Sequence, residues 1–259
     1  MDIQTRAPHD FDLTGQVALV TGAGRGIGAA IAMSLARAGA EVVVNDRDAE
    51  AGQRVADRIA AENGSSTYLQ ADVSSASDVD ALFQAALQWR PWLNILVCNA
   101  GITNSADIFT ISLEEWDTVL RTNLTGSFLC ARRAMQRMQQ QGFGGRIIFI
   151  GSGVVHQGAL MGHVAYAASK GAIHAIARTL ARTGAPVRVT VNVIAPGLTD
   201  TELLHATHSD AEIQSLASTV PLGIGIPADI GAAAVYLASR AAQHVTGITL
   251  DVNGGQIIR

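Results

Sequence analysis

Val17-Ala18-Leu19-Val20-Thr21-Gly22-Ala23-Gly24-Arg25-Gly26-Ile27-Gly28 is the stretch on which the fold turns. Its first five residues form an uncharged, largely β-branched run, as a strand covered on both faces requires. Four glycines then fall within seven positions, where the backbone must turn tightly and lie close to another group. A helical pattern follows, so the glycines open a helix whose free N–H groups and partial positive charge suit a pyrophosphate. Glycines alone mark many ordinary turns; the strand before and the helix after favour a dinucleotide-binding turn. A second apolar run, 41–45, leads into Asp46, whose carboxylate can accept both ribose hydroxyls of NAD and would repel a 2′-phosphate. Arg25 and Arg47 could instead neutralise such a phosphate. Asp46 is the more direct determinant, so the reading favours NAD over NADP.

Outward from this unit the same rhythm continues. Strands are expected at 17–21, 41–45, 66–72, 93–99, 145–151, 187–195 and 248–252. Helices are expected at 26–38, 49–62, 76–89, 113–140, 164–183 and 228–239. Strand–helix alternation of this kind predicts an α/β fold, a doubly wound parallel sheet with helices on both faces. No linker or repeat interrupts it, so residues 1–259 read as one domain. The segment 198–225 is too long for an ordinary connection and carries no lysine or arginine, which suggests a lid with a weakly helical middle at 210–219.

A net charge of −4 gives no basic footprint for nucleic acid or an anionic membrane surface. No run of apolar residues is long enough for a membrane span, and residues 1–13 lack a signal-like apolar core. Cys98 and Cys130 lie apart in apolar stretches and read as core residues in a reducing compartment, so the protein is expected in the cytoplasm. Charged residues are only 15% of the chain, which hints at surface covered by partner subunits. His205 and His208 are three apart in the lid beside acidic residues, yet a polar lid accounts for them better than a metal site.

The chain has 18 cations, of which 17 are arginine, and its single lysine is Lys170. Lysine can act as a compact ammonium that titrates, which arginine cannot. Lys170 stands four residues after Tyr166, in Tyr166-Ala167-Ala168-Ser169-Lys170, so on a helix the ammonium lies on the phenol's face. A free tyrosine ionises near pH 10, and a neighbouring cation is expected to draw it toward neutrality and make it a general acid/base.

Taken together, Thr21-Gly22 with Gly26 and Gly28, and Tyr166 with Lys170, resemble the short-chain dehydrogenase/reductase family, over almost the whole chain. The resemblance implies a Rossmann-type seven-stranded sheet in the order 3-2-1-4-5-6-7. It also implies hydride transfer between a nicotinamide and a neutral secondary alcohol or ketone. It places Gly22, Arg25, Gly26, Ile27 and Gly28 at the pyrophosphate, Asp72 and Val73 at the adenine, and Asn99, Ala100 and Gly101 near the nicotinamide-side ribose. Cys98 stands where the family usually has asparagine. Pro196, Thr199 and Thr201 match the segment that contacts the carboxamide, and Asn123 matches a water-holding asparagine. Lys170 would also hold the nicotinamide ribose, beside Tyr166. The resemblance also implies a serine at the end of the fifth strand whose hydroxyl bonds the substrate oxygen as charge develops; Ser152 fills that place, although the family's commonest serine-to-tyrosine spacing lands on Gly153, so Ser152 requires one extra loop residue.

His156, Met161 and His163 lie between Ser152 and Tyr166 and should wall the substrate pocket. The density of small residues in the Tyr166 helix (Ala165, Ala167, Ala168, Gly171, Ala172, Ala175, Ala177) suits close pairing across a two-fold axis, and a homotetramer is expected. A 3-oxoacyl-[acyl-carrier-protein] reductase is an alternative. It is weakened because the positions matching that group's basic docking residues read Phe143 and Val187. A non-catalytic nucleotide-sensing scaffold would have lost a member of the Asn123, Ser152, Tyr166 and Lys170 set; all are present.

Overall fold

A computed structural model describes residues 8–159 and 162–258, so Met161 and residues 1–7 lie outside the described residues. The apolar run opens the fold as β1 (Val17–Thr21), buried along its whole length. Then come α1 (Gly26–Arg37), β2 (Glu41–Asp46), α2 (Ala49–Ala61), β3 (Ser66–Gln70), α3 (Ala76–Trp89) and β4 (Ile95–Cys98). Next are α4 (Leu113–Leu120), a π-helical turn Arg121–Thr125, α5 (Gly126–Gln141), β5 (Gly145–Ile150) and the single turn α6 (Val154–Gln157). The chain ends with α7 (Val164–Gly184), β6 (Val189–Pro196), α8 (Glu202–Thr207), α9 (Asp210–Ala217), α10 (Pro227–Ala238) and β7 (Thr249–Val252).

All seven strands form one sheet in the order β3-β2-β1-β4-β5-β6-β7, every neighbouring pair parallel, as expected. Alternation along β1 divides the core. Ala18 and Val20 pack with residues of α1, α2 and α10 on one face; Val17 and Leu19 pack with α3, α5 and α7 on the other. The strand order reverses between β1 and β4, and the crevice beyond their carboxyl ends is where this fold accepts ligands.

Several boundaries differ from the sequence reading. The expected strand 66–72 ends at Gln70 because Asp72 starts a turn, its carboxylate accepting from Ser74 N at 2.8 Å. The expected helix 113–140 is two helices joined through the π-helical turn, which holds Asn123. A π turn inserts one residue without breaking the apolar stripe, so periodicity reads straight through it. In the lid, the helical middle forms as α9, but the short α8 before it went unforeseen. Thr201 caps α8, its hydroxyl accepting from Leu204 N at 3.3 Å.

Candidate active site

Glycine is required in the first turn by close approach. Gly22 has φ +60°, and a Cβ there would lie 2.7 Å from Ala100 Cα. A Cβ on Gly28 would lie 2.1 Å from the Gly22 carbonyl oxygen. Arg25 at the start of α1 makes no side-chain cap, so no side chain of that residue covers the first N–H groups of the helix. The Asp46 carboxylate closes the turn, accepting from Gly24 N at 2.9 Å and Asp48 N at 3.0 Å. Arg25 reaches away to Asp48 at 2.6 Å in an exposed ion pair, while Arg47 is exposed. Thr201 borders Gly26, its Cγ2 3.7 Å from where a Cβ would stand. Pro196 ends β6, with Thr199 buried just beyond. Val73 packs beneath Gly126, and Ile27 packs into the α1 side of the core.

Thr21, named in the motif but given no role from the sequence, locks β1 to β4. Its hydroxyl accepts from Asn99 N at 3.1 Å and Ala100 N at 3.2 Å. Asn99 Nδ2 donates in return to the carbonyls of Thr21 at 3.0 Å and Gly22 at 2.8 Å. The asparagine kept after Cys98 therefore holds the glycine turn itself. Cys98 and Cys130 are free and buried, and burial pushes both thiols up, Cys130 to about 12.

Asn123 is 1% exposed, and its amide is fully committed as a donor. Its Nδ2 donates to Ile102 O at 2.9 Å and to Ser169 Oγ at 3.0 Å, while its Oδ1 accepts from Ile102 N at 2.8 Å. Ser169 Oγ passes the connection on, donating to Tyr166 O at 2.7 Å. Asn123 thus ties the loop after β4 to the first turns of α7, and only its carbonyl-type Oδ1 has capacity left for water.

Tyr166 and Lys170 share a face of α7 as expected, with Lys170 Nζ 5.6 Å from the centre of the phenol ring. Lys170 is 6% exposed and donates to Ile150 O at 2.7 Å, which plants the ammonium at the end of β5. The electrostatics depart from the sequence expectation. Burial pushes the Tyr166 phenol up, and the opposing pull comes from a hydrogen bond with the Ser152 hydroxyl rather than from the ammonium. Lys170 is itself desolvated, which lowers its affinity for a proton to about 8. Ser152 therefore does meet Tyr166. Gly153, at the commoner spacing, faces Ile257 and Pro196 instead, and α6 takes up the extra residue.

Around this cluster, His156 lies edge-on to buried His174, ring centres 5.5 Å apart. His163 binds Thr103 through Nδ1 at 2.9 Å. In the lid, His205 pairs with Asp200 at 2.7 Å. Among the described residues no helix is long and apolar enough to cross a membrane.

A family model described as Enoyl-(Acyl carrier protein) reductase matches residues 22–256. D-threitol dehydrogenase of Mycolicibacterium smegmatis is 38% identical, the match covering 96% of each chain. The crystal structure of a 7α-hydroxysteroid dehydrogenase with NADH and 7-oxo glycochenodeoxycholic acid superposes with a TM-score of 0.93 at 31% identity, covering 98% of this chain and 100% of that one. A structure assigned as an NAD(P)-dependent gluconate 5-dehydrogenase of Beutenbergia cavernae, with NADP at low occupancy, gives a TM-score of 0.90 at 38% identity, covering 95% and 98%. Matched across nearly its whole length by alcohol- and ketone-directed oxidoreductases that use a nicotinamide, this chain belongs to the short-chain dehydrogenase/reductase family.

Proposed function

We propose that the chain is a single-domain, NAD-preferring oxidoreductase in which Tyr166 exchanges a proton with the oxygen of a neutral ketone or secondary alcohol. The nicotinamide supplies or accepts hydride at the adjacent carbon. The residues suit that cofactor: the uncapped first turn of α1 meets the glycine approach at Gly22 and Gly28, and Asp46 stands at the end of β2. Gly22, Arg25, Gly26, Ile27 and Gly28 would bind the pyrophosphate, Asp46 the ribose hydroxyls, and Asp72 and Val73 the adenine. Asn99, Ala100, Gly101, Pro196, Thr199 and Thr201 would hold the nicotinamide end, with Lys170 on its ribose.

The observation that carries the reading is the cluster at the end of β5, in which Lys170 is buried and Ser152 and Tyr166 are half-buried. Lys170 Nζ sits on the Ile150 carbonyl, and the Ser152 hydroxyl bonds the Tyr166 phenol. With burial pushing its phenol up, Tyr166 carries its proton at neutral pH and is ready to donate it to a carbonyl oxygen during reduction. Ser152 bonds the same oxygen and steadies the charge that develops. Lys170, buried with an affinity lowered to about 8, supplies a cation that can return a proton to the phenol. Asn123 holds α7 against the loop after β4 and leaves an acceptor for one water.

The test is oxidation of NADH and of NADPH, run side by side against a panel of ketones, polyols and a 3-oxoacyl thioester. Turnover with neutral ketones, faster with NADH, supports the reading. Turnover confined to the thioester would favour the acyl-carrier reading instead, and silence across the panel despite NADH binding would favour a scaffold. Assembly as a homotetramer is part of the proposal. Its support is the exposed small face of α7 (Ala168, Ala175) together with Phe109 at 93% and Leu113 at 82% exposure before and in α4. Free, buried Cys98 and Cys130 suit a reducing, cytoplasmic setting.

A further inference from the structure

The residue that begins α7 has an unusual backbone. His163 has φ +57° and ψ 25°, in the left-handed region that a side chain with a Cβ rarely adopts. A helix-capping residue ordinarily sits in extended backbone and turns its side chain onto the first helical N–H groups. His163 does neither: its carbonyl accepts the first helical bond from Ala167 N at 2.9 Å, but its side chain makes no cap. Its ring reaches across the cleft instead. Nδ1 meets Thr103 Oγ1 at 2.9 Å, and the ring also bonds the Asn104 main-chain carbonyl.

The loop it grasps carries a half-buried asparagine. Both polar atoms of the Asn104 side-chain amide are buried with no hydrogen-bond partner. Backbone strain that persists at a fixed point is retained where the surroundings enforce it, and it gathers at functional sites. Here two contacts meet at the turn: the ring bridge, and the close approach of Gly162, where a Cβ would lie 2.2 Å from the Ser105 carbonyl oxygen. His163 stands one helical turn before Tyr166, and the loop it grips continues from Asn99-Ala100-Gly101.

We infer that His163 is a positioning residue. By clamping Thr103 and Asn104 to the first turn of α7, it fixes the Tyr166 phenol relative to the loop that flanks the reacting centre. This rests on the reading of Tyr166 as the proton donor. Small displacements of a proton donor are expensive in rate, so losing the clamp should slow turnover more than it weakens binding.

The experiment compares reduction by wild type, His163→Gly, His163→Asn, Thr103→Val and the double variant His163→Gly/Thr103→Val. Tyr166→Phe serves as the control, and melting is followed in parallel. Glycine adopts the left-handed backbone without strain, so His163→Gly removes the ring without penalising the turn. The expected result is a fall in kcat of about ten- to a hundredfold with KM for the nicotinamide changed by less than about threefold. His163→Asn, which tolerates this backbone and keeps a polar side chain, should recover part of the loss. Thr103→Val should reproduce the loss, and the double variant should be no slower than the worse single one, because both break one connection. Wild-type kcat in His163→Gly, or losses that multiply in the double variant, would overturn the inference. Should Tyr166→Phe itself keep turnover, the failure lies with the proton-donor reading and not with the clamp.

Discussion

Two influences oppose one another at Tyr166, with burial pushing its phenol up and the Ser152 hydroxyl pulling it down. Removal of the phenol hydroxyl in Tyr166→Phe should reduce turnover by about a thousandfold, within the range typical of a lost general acid. NADH should still raise the melting temperature of the variant, which separates loss of chemistry from loss of fold. Lys170 makes a prediction about stability. Folded, it releases its proton near 8, whereas the unfolded chain keeps it up to the ordinary 10.5. Between those limits the unfolded state binds the extra proton, so this residue's contribution to stability rises with pH; below about 8 both states are charged and the penalty is constant. Relative to Lys170→Met, the wild type should gain on the order of 3 kcal/mol between pH 8 and pH 10.5, read by denaturant titration at each pH. A flat difference would mean that the ammonium is not desolvated. The pairing of Tyr166 with Lys170 was legible because spacing on a helix dictates it. The direction of the phenol's shift was not, because it depends on how much water the fold removes from both groups.

The helix that was expected to run unbroken over 113–140 carries its function at its interruption. The π-helical turn displaces Asn123 inward, where its amide grips Ile102 on both its N–H and carbonyl and reaches Ser169. Asn123→Ala should cost about 2–4 kcal/mol in urea unfolding, since three hydrogen bonds go and the half-buried Ile102 groups lose their partners. A change within experimental error would show that water replaces the amide freely. At the opposite wall, Gly28→Ala would drive a methyl to 2.1 Å from the Gly22 carbonyl oxygen. It should destabilise the turn by about 1–3 kcal/mol and abolish the thermal shift given by NADH; unchanged affinity would remove α1 from the cofactor site. Glycine spacing is legible because it records backbone approach directly. The π turn, the short α8 and the ring bridge from His163 to Thr103 were not legible, since each depends on which loops meet across the crevice.

On the scale of the whole molecule, strand order gathers these pieces. The reversal between β1 and β4 brings the Gly22 turn, the Asn99 turn and the end of β5 to one rim, and Thr201 reaches that rim from the lid. A ligand spanning the rim stabilises the native state alone. NADH at a hundred times its Kd should therefore add about 2.7 kcal/mol, seen as a higher melting temperature. Asp46→Asn should shrink the NADH shift and enlarge that of NADPH; equal responses before and after would displace Asp46 as the ribose determinant. The alternating sheet and its order were readable from apolar runs and the resemblance, because a doubly wound sheet leaves few other topologies. The solitary lysine has one more consequence, for the chemist rather than for the reaction. With Lys170 94% out of water, by difference from its 6% exposure, the native chain offers no side-chain amine to acylating dyes or to a lysine-directed peptidase. Each acylation or scission event at that position would report a moment when the heart of the molecule had opened.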